Sequence, residues 1–398
     1  MRVLITTDLF TTETNGVVTS IKNLVGELKK NGHEVKILTL SQEFKSHRNK
    51  NAYYIRSMPV KVYPDVRMPM FYRHKYIREI IDWKPDVIHS QCEFFSFQFA
   101  EYISKMTGAP IVHTYHTLYE QYAHYLVPGK HLGNYTVKKF SKKRLKNVSI
   151  IIAPTQKVKK TLSAYGIEQE ICVVPSGINL EQHKKVLPKE ERSAMRNALG
   201  IRDDEKVLIN LGRLGDEKNL EELIYFFSDV VAQHNDVKFM LVGDGPARKR
   251  LSHIAKSLKI EDKVIFTGMV EPADVQKYYK LGDVFVSAST SETQGLTYVE
   301  AAANGLPLVC RSDLCLKEIL KPGENGYEYT CKNDFLQKID IFLADDALRK
   351  KAGIRSKEVA DRFDKNTLVA QLKKFIKWLN KKRPHNCVGV NFVNFYEN

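Results

Sequence analysis

The strongest constraint on this chain is one pattern that runs through it twice. A short apolar run is followed by a glycine-containing or polar turn, then by a segment of helical period, then by the next apolar run. In the first half, residues 3–6, 33–40, 52–56, 86–90, 111–114, 149–153 and 171–174 read as strands. Helical faces fall between them at 17–31, 94–107 and 155–165. In the second half, 207–212, 239–242, 264–268, 284–288 and 306–310 are strands, with helices starting near Leu220, ending near Leu258, and covering 333–343 and 346–362. Continuous apolar runs separated by helices belong to parallel sheets covered on both faces. The expected class is α/β, with two doubly wound sheets. A chain of 398 residues with 43% apolar content has enough material for two cores. Pro175 to Asn179 breaks the pattern, and charged, proline-containing sequence continues to Leu199. The expected division is 1–178, a connection at 179–199, a second domain at 200–364, and a terminal segment, 365–398, that opens with a helix at 368–382.

Several classes are excluded at this level. No run of eighteen apolar residues is present, so no membrane-spanning helix is expected. The first eight residues are too polar for a secretory leader, which places the chain in the cytosol. The six cysteines are scattered, without paired spacing or a histidine ligand set, and are expected to be reduced. The first strand and loop lack Gly-x-Gly-x-x-Gly, which argues against a dehydrogenase.

The stretch from Ser291 to Gly305 passes from loop to helix between two strands. Backbone N–H groups at such a junction, together with the helix dipole, favour an anion, and Gly295 lets it approach closely. Glu292 and Glu300 flank that position and could accept hydrogen bonds from sugar hydroxyls. After the strand at 207–212, Arg213 offers a forked donor and Lys218 a point charge, both suited to a diphosphate. Gly243 ends the next strand in a turn where backbone can approach a ligand.

With Glu292, Gly295, Glu300 and the run Ala301 to Gly305, this stretch resembles the donor-site signature of the retaining glycosyltransferases of family 4. Gly212-Arg213-Leu214 followed by Lys218 is similar to that family's phosphate-binding loop, and the resemblance extends over nearly the whole chain. It implies a GT-B fold: two facing Rossmann-like domains with the reaction in the cleft, and a last helix crossing back onto the first domain. It also implies a donor site built from Gly16, Gly212, Arg213, Lys218, Gly243, Val270, Glu292, Thr293, Gln294, Gly295, Leu296 and Glu300. His116, after the strand at 111–114, matches the family's strand-end histidine at the reaction centre. His116, Glu292, Arg213 and Lys218 are the catalytic candidates. The anomeric configuration is then retained, without a protein nucleophile. No tightly bound cofactor and no metal site are expected: UDP-glucose enters as substrate, and Mg2+ would at most stimulate.

The net charge of +16 is unevenly placed. Residues 1–175 hold 26 Lys and Arg against 14 Asp and Glu, 176–364 hold 29 against 31, and the remainder 7 against 1. Such asymmetry points to an anionic partner surface. Around 137–148, Lys139, Lys142, Lys143 and Lys146 share one helical face, opposite Val137, Phe140, Leu145 and Val148. With Lys138 and Arg144, and with Arg67 and Arg73 in a methionine- and aromatic-rich stretch at 58–83, they form the expected membrane-binding set. Two alternatives stand beside this: a core helix with a solvated basic edge for 58–83, and nucleic acid as the anion, against which no nucleic-acid-binding motif is present. Residues 113–120, followed by the aromatics at 122–125 and the basic helix, most resemble bacterial enzymes that glucosylate diacylglycerol. The expected partners are a UDP-sugar, diacylglycerol and an anionic phospholipid surface on the inner face of the cell membrane. Phosphatidylinositol, a glycolipid or a soluble sugar is the alternative acceptor, and a nucleotide- or nucleic-acid-binding protein without transferase activity the remoter one.

Overall fold

The computed structural model describes residues 1–10, 16–60, 67–120 and 130–364. The aromatic cluster at 122–125 and the segment 365–398, with its expected crossing helix, lie outside the described residues. In the first half the strands are β1 (Arg2–Thr6), β2 (Glu34–Leu40), β3 (His47–Asn49), β4 (Ala52–Ile55), β5 (Ser57–Pro59), β6 (Arg67–Pro69), β7 (Val87–Ser90), β8 (Ile111–Thr114), β9 (Ile150–Ala153) and β10 (Ile171–Val173). Eight of them form one sheet in the order β10-β9-β8-β7-β1-β2-β4-β3, and β5 pairs with β6 as a separate hairpin. Only the edge strand β3 runs antiparallel to its neighbour in the large sheet. In the second half β11 (Lys206–Leu211), β12 (Val237–Val242), β13 (Val264–Gly268), β14 (Val284–Ser287), β15 (Leu308–Arg311) and β16 (Gly326–Tyr329) make a parallel sheet in the order β13-β12-β11-β14-β15-β16.

Alternation along each strand supplies both faces of each sheet. On β1, Leu4 packs with Leu38, Ile88 and Phe97, whereas Val3 and Ile5 pack on the other face with Ile21, Leu24 and Leu28 of the helix Gly16–Lys30. On β11, Val207 and Ile209 point to one core and Leu208 to the other. Truncating a fully buried residue such as Leu4 or Ile209 to alanine costs about 2–5 kcal/mol.

In both sheets the chain leaves the first strand in one direction and later returns to its other side. The reversal lies between β1 and β7 in the first domain and between β11 and β14 in the second. Ligands of doubly wound sheets sit beyond the carboxyl ends of the strands at that reversal. Thr7 to Asp8 and Gln91 to Glu93 occupy it in one domain, Gly212 to Lys218 and Ala288 to Gly295 in the other.

Residues 179–199, expected as a connection, form two helices, Leu180–Lys184 and Lys189–Ala198, that pack on the second domain. Ile178 and Leu180 join its core, and the buried Arg196 guanidinium donates to the carbonyls of Leu281 (3.1 Å), Arg202 (2.7 Å) and Glu205 (2.6 Å). Such pairing over distant carbonyls is invisible in local composition. The chain comes back to the same place at its far end, where the Ile178 amide donates to the Phe363 carbonyl at 2.9 Å.

Candidate active site

Close backbone approach defines the donor side. Gly243 lies at the end of β12 with φ of 125°, and a Cβ there would stand 2.2 Å from the Gly212 carbonyl oxygen. Gly295 opens the helix Leu296–Ala303 in the left-handed region, φ 71°, where a Cβ would meet the Tyr298 ring at 2.5 Å. No other residue type fits either place without moving its neighbours.

Glu292 is the most heavily engaged carboxylate here. Lys218 Nζ donates to it at 2.5 Å and Ser289 Oγ at 3.0 Å. Desolvation pushes the Glu292 carboxyl up, but the Lys218 charge and these donors outweigh it and hold the group below its ordinary value. Ser291 Oγ donates to the Glu217 carbonyl at 3.0 Å, tying the loop after β14 to the loop after β11. Arg213 Nη2 donates to Glu217 at 2.7 Å and remains half-exposed. The two cations expected to face a diphosphate thus lie on one loop, each with a carboxylate partner. Glu300 stands in the opposite electrostatic state. It accepts from Tyr279 Oη at 2.9 Å, and burial pushes its carboxyl up to about 7.

The remaining donor candidates are placed as follows. Val270 and Leu296 pack partly buried against the second core. Gly16 starts the first-domain helix directly opposite: a Cβ on it would lie 3.5 Å from Leu296 Cδ1. The Gln294 side chain is committed elsewhere, accepting from the Ser176 amide at 2.7 Å and donating to the Ser176 carbonyl at 2.9 Å, so only its backbone is left for a ligand. The Thr293 carbonyl accepts from Thr155 Oγ1 at 2.7 Å.

On the first-domain side, the His116 ring is hydrogen-bonded at Nε2 to Gln91 Oε1, 2.8 Å away. An amide oxygen accepts, so Nε2 carries the proton and Nδ1 is an acceptor. Burial, with His113 nearby, pushes His116 down to about 3, and the ring is neutral at any working pH. His89, paired with Thr114 Oγ1 at 2.8 Å, is likewise pushed down to about 3 by burial. Behind them Glu93 is bonded to both His113 Nε2, at 3.0 Å, and Tyr119 Oη. His89, Gln91, Thr114, Ser20 and Ser176 line a cavity of about 20 Å³, room for about one water molecule. Gln91, Glu93, Ser289 and Lys157 were not anticipated from the sequence. Lone polar residues at strand ends and in loops carry no local signature of their partners.

The helix Lys130–Leu145 buries Val137 and Leu145 and exposes Lys138, Lys139, Lys142 and Lys143, with Lys146 exposed just beyond. Arg144 is partly covered, 3.7 Å from Glu101. Arg73 is exposed beside the exposed Phe71 and Tyr72. Met58 and Met68 are direct cross-strand partners on the β5–β6 hairpin, both exposed. Arg67, expected at a lipid surface, turns inward: Nε donates to Ser57 Oγ at 2.8 Å and to the Ser41 carbonyl at 3.0 Å, and Nη2 to the Ser57 carbonyl at 3.0 Å. A guanidinium with three protein acceptors fastens the hairpin to the sheet instead. No helix among the described residues is long and apolar enough to cross a membrane.

Residues 14–182 match the family described as Glycosyltransferase Family 4, and residues 191–359 match Glycosyl transferases group 1. The chain is 36% identical over 336 residues to an alpha-monoglucosyldiacylglycerol synthase of Streptococcus pneumoniae, covering 84% of this chain and 76% of the relative. It is 32% identical to the alpha-monoglucosyldiacylglycerol synthase of Acholeplasma laidlawii, over 90% and 94% of the two chains. Among solved structures, Anabaena HepE in complex with UDP superposes with a TM-score of 0.75 at 18% identity, over 95% of this chain and all of that one. A sucrose-phosphate synthase from Thermosynechococcus elongatus gives 0.76 at 19% identity, over 96% and 99%. Two Rossmann-like domains meeting at their strand ends, and these matches along nearly the whole length, make the chain a GT-B glycosyltransferase of group 1 and family 4.

Proposed function

We propose that this protein transfers glucose from UDP-glucose to the free hydroxyl of 1,2-diacylglycerol with retention, giving α-monoglucosyldiacylglycerol at the cytoplasmic face of the membrane. The observation that carries the acceptor is the 36% identity to the pneumococcal alpha-monoglucosyldiacylglycerol synthase over most of both chains. The UDP and UDP-glucose bound by the HepE structures fit the donor.

The geometry supports a division of labour. Diphosphate charge is met by Lys218, Arg213 and the start of the helix Leu296–Ala303, whose free N–H groups and dipole favour an anion. Displacing Lys218 from Glu292 frees that carboxylate to accept hexose hydroxyls. Glu300 accepts from the ribose on the other side, and Gly212, Gly243 and Val270 serve the nucleotide. As the C1–O bond to the β-phosphate breaks, the acceptor oxygen bonds C1 on the same face, and the acceptor proton passes to the departing phosphate oxygen. Neutral His116 orients the hexose through its Nδ1 lone pair and takes no proton. No step calls on a metal ion. Lys138, Lys139, Lys142, Lys143, Lys146 and Arg73 hold the cleft against anionic lipid, with Met58, Met68 and Phe71 at the headgroups.

The test is transfer from UDP-glucose to diacylglycerol in mixed vesicles, with anionic lipid raised from none to about a third, and water-soluble acceptors run in parallel. An α-linked lipid product whose rate rises with anionic lipid is expected. Transfer only to the soluble acceptors would discard the acceptor and keep the donor site.

A further inference from the structure

The donor loop belongs to the second domain, yet it is held largely by the first. Lys157 lies in the helix Gln156–Ala164, which Thr155 caps. Its ammonium donates to the Thr290 carbonyl at 2.8 Å, the Glu292 carbonyl at 3.0 Å and Asp313 Oδ2 at 2.7 Å. Three N–H bonds meet three acceptors, and all of them come from the other domain. Lys157 and Asp313 are 13% and 9% exposed, too buried for an ordinary surface pair. Asp313 is itself fixed, because its other oxygen accepts from the Cys315 amide at 2.8 Å. Beside this, Thr155 holds the Thr293 carbonyl and Ser176 holds the Gln294 side chain. Each of residues 290, 292, 293 and 294 therefore has a partner in the first half of the chain.

We propose that Lys157 is a positioning residue of the donor site, which sets the Glu292 carboxylate by gripping the backbone on which it stands, and does so only while the domains are together. This rests on the functional reading given above. The grip is placed to matter: Lys157 bonds the carbonyl of Glu292 while Lys218 bonds its carboxylate, so two cations from two domains fix one residue at both ends. The Lys157 charge also helps hold that carboxyl in its ionised form. When the domains part, the ammonium leaves both carbonyls and Asp313, and the loop is freed. Closure and assembly of the hexose site thus become a single event, in which Lys157 bonds the loop and Asp313 and leaves Arg213 and Lys218 to the diphosphate.

The experiment compares the full-length wild type with Lys157→Met, measuring steady-state transfer and calorimetric binding of UDP and UDP-glucose. A loop displaced by about 1 Å costs roughly a hundredfold, so kcat should fall by about 10- to 100-fold. The Kd for UDP should stay within about threefold, while any preference for UDP-glucose over UDP is lost. Lys157→Arg should restore part of kcat. Lys157→Met combined with Glu292→Ala should be no slower than Glu292→Ala alone, because one residue acts through the other. A kcat within about twofold of wild type, or losses that multiply in the double variant, would overturn the proposal. Asp313→Asn keeps the two carbonyl bonds and serves if Lys157→Met does not fold; a smaller loss of kcat with unchanged UDP affinity is expected, and loss of UDP affinity would overturn it. A wild type that neither binds UDP nor transfers hexose sinks the functional reading; a wild type that does both while Lys157→Met matches it sinks this inference alone.

Discussion

The two domains share one strand order around their reversal points, yet the two crevices handle charge in opposite ways. At the second-domain crevice, Glu300 apart, the charged groups stand in pairs, Lys218 with Glu292 and Arg213 with Glu217. At the first-domain crevice burial works against charge. His116 and His89 are pushed down to about 3 by burial, and Asp8, which accepts from the Ser96 amide at 2.6 Å, is pushed up to about 6 by burial. Glu93 and His113, hydrogen-bonded to each other at 3.0 Å, are sealed behind the surface. In the proposed reaction a diphosphate finds cations that can change partners, whereas a hydroxyl group or an acyl chain meets a wall with little charge to solvate. One topology serves both because the fold places loops, and the loops alone decide what stays ionised.

Glu292→Ala strikes the paired side hardest. A loss of about 10²- to 10³-fold in kcat is expected, the size of removing one organised electrostatic group at a reaction centre. A comparable loss of UDP affinity would mean that Glu292 only holds Lys218, and the contrast between the crevices would need redrawing. Removing the charges of Lys139, Lys142, Lys143 and Lys146 together should lower activity on anionic vesicles by nearly 10³-fold at about 1 kcal/mol per residue, and by roughly 10²-fold once salt screens part of it. Binding of UDP should not change; an equal loss on neutral vesicles would show that this face contributes something other than charge. His116→Ala should lower kcat by about tenfold without moving the pH profile, because a ring pushed down to about 3 has already lost its proton. A profile whose acid limb disappears in this variant would break the neutral-wall description. The smallest effect belongs to Glu300. Its carboxyl, at about 7, ionises as pH rises through neutrality, so UDP should bind several-fold tighter at pH 8 than at pH 6, and Glu300→Gln should abolish that slope. The same shift has a stability cost of opposite sense: the contribution from neutral Glu300 is complete below its ordinary 4.5 and is lost as pH rises through about 7.

Much of the framework could be read in advance, because its determinants are local. Apolar runs such as 284–287 and the helical face of Ile21, Leu24, Val25 and Leu28 form what their periodicities require. Gly295 could be read for the same reason, since a loop becoming a helix within a few residues restricts what may stand at the junction. The lysine face at 138–146 was legible from spacing alone. What escaped depends on partners far along the chain. Lys157 is one lysine among many in the basic first half, and nothing near it signals Asp313, 156 residues later. Arg67 was expected at a lipid surface but is folded onto backbone carbonyls, and so is Arg196, inside the charged stretch read as a connection. The small edge strand β3 and the β5–β6 hairpin were missed as well, because three-residue strands have too little periodicity to register.

Gly16 stands near Leu296, close enough that a Cβ added to it would come to 3.5 Å from Cδ1, so the helices Gly16–Lys30 and Leu296–Ala303 start near each other across the cleft. Each helix start carries about half a positive charge, so the two repel; the bonds of Lys157, Thr155 and Gln294 hold the domains together against that repulsion, which an anion between the ends would relieve. UDP keeps the diphosphate that UDP-glucose brought. In the proposed reaction the attraction between the helix starts and the diphosphate therefore persists after the hexose has gone, and turnover should be paced by the escape of the spent nucleotide.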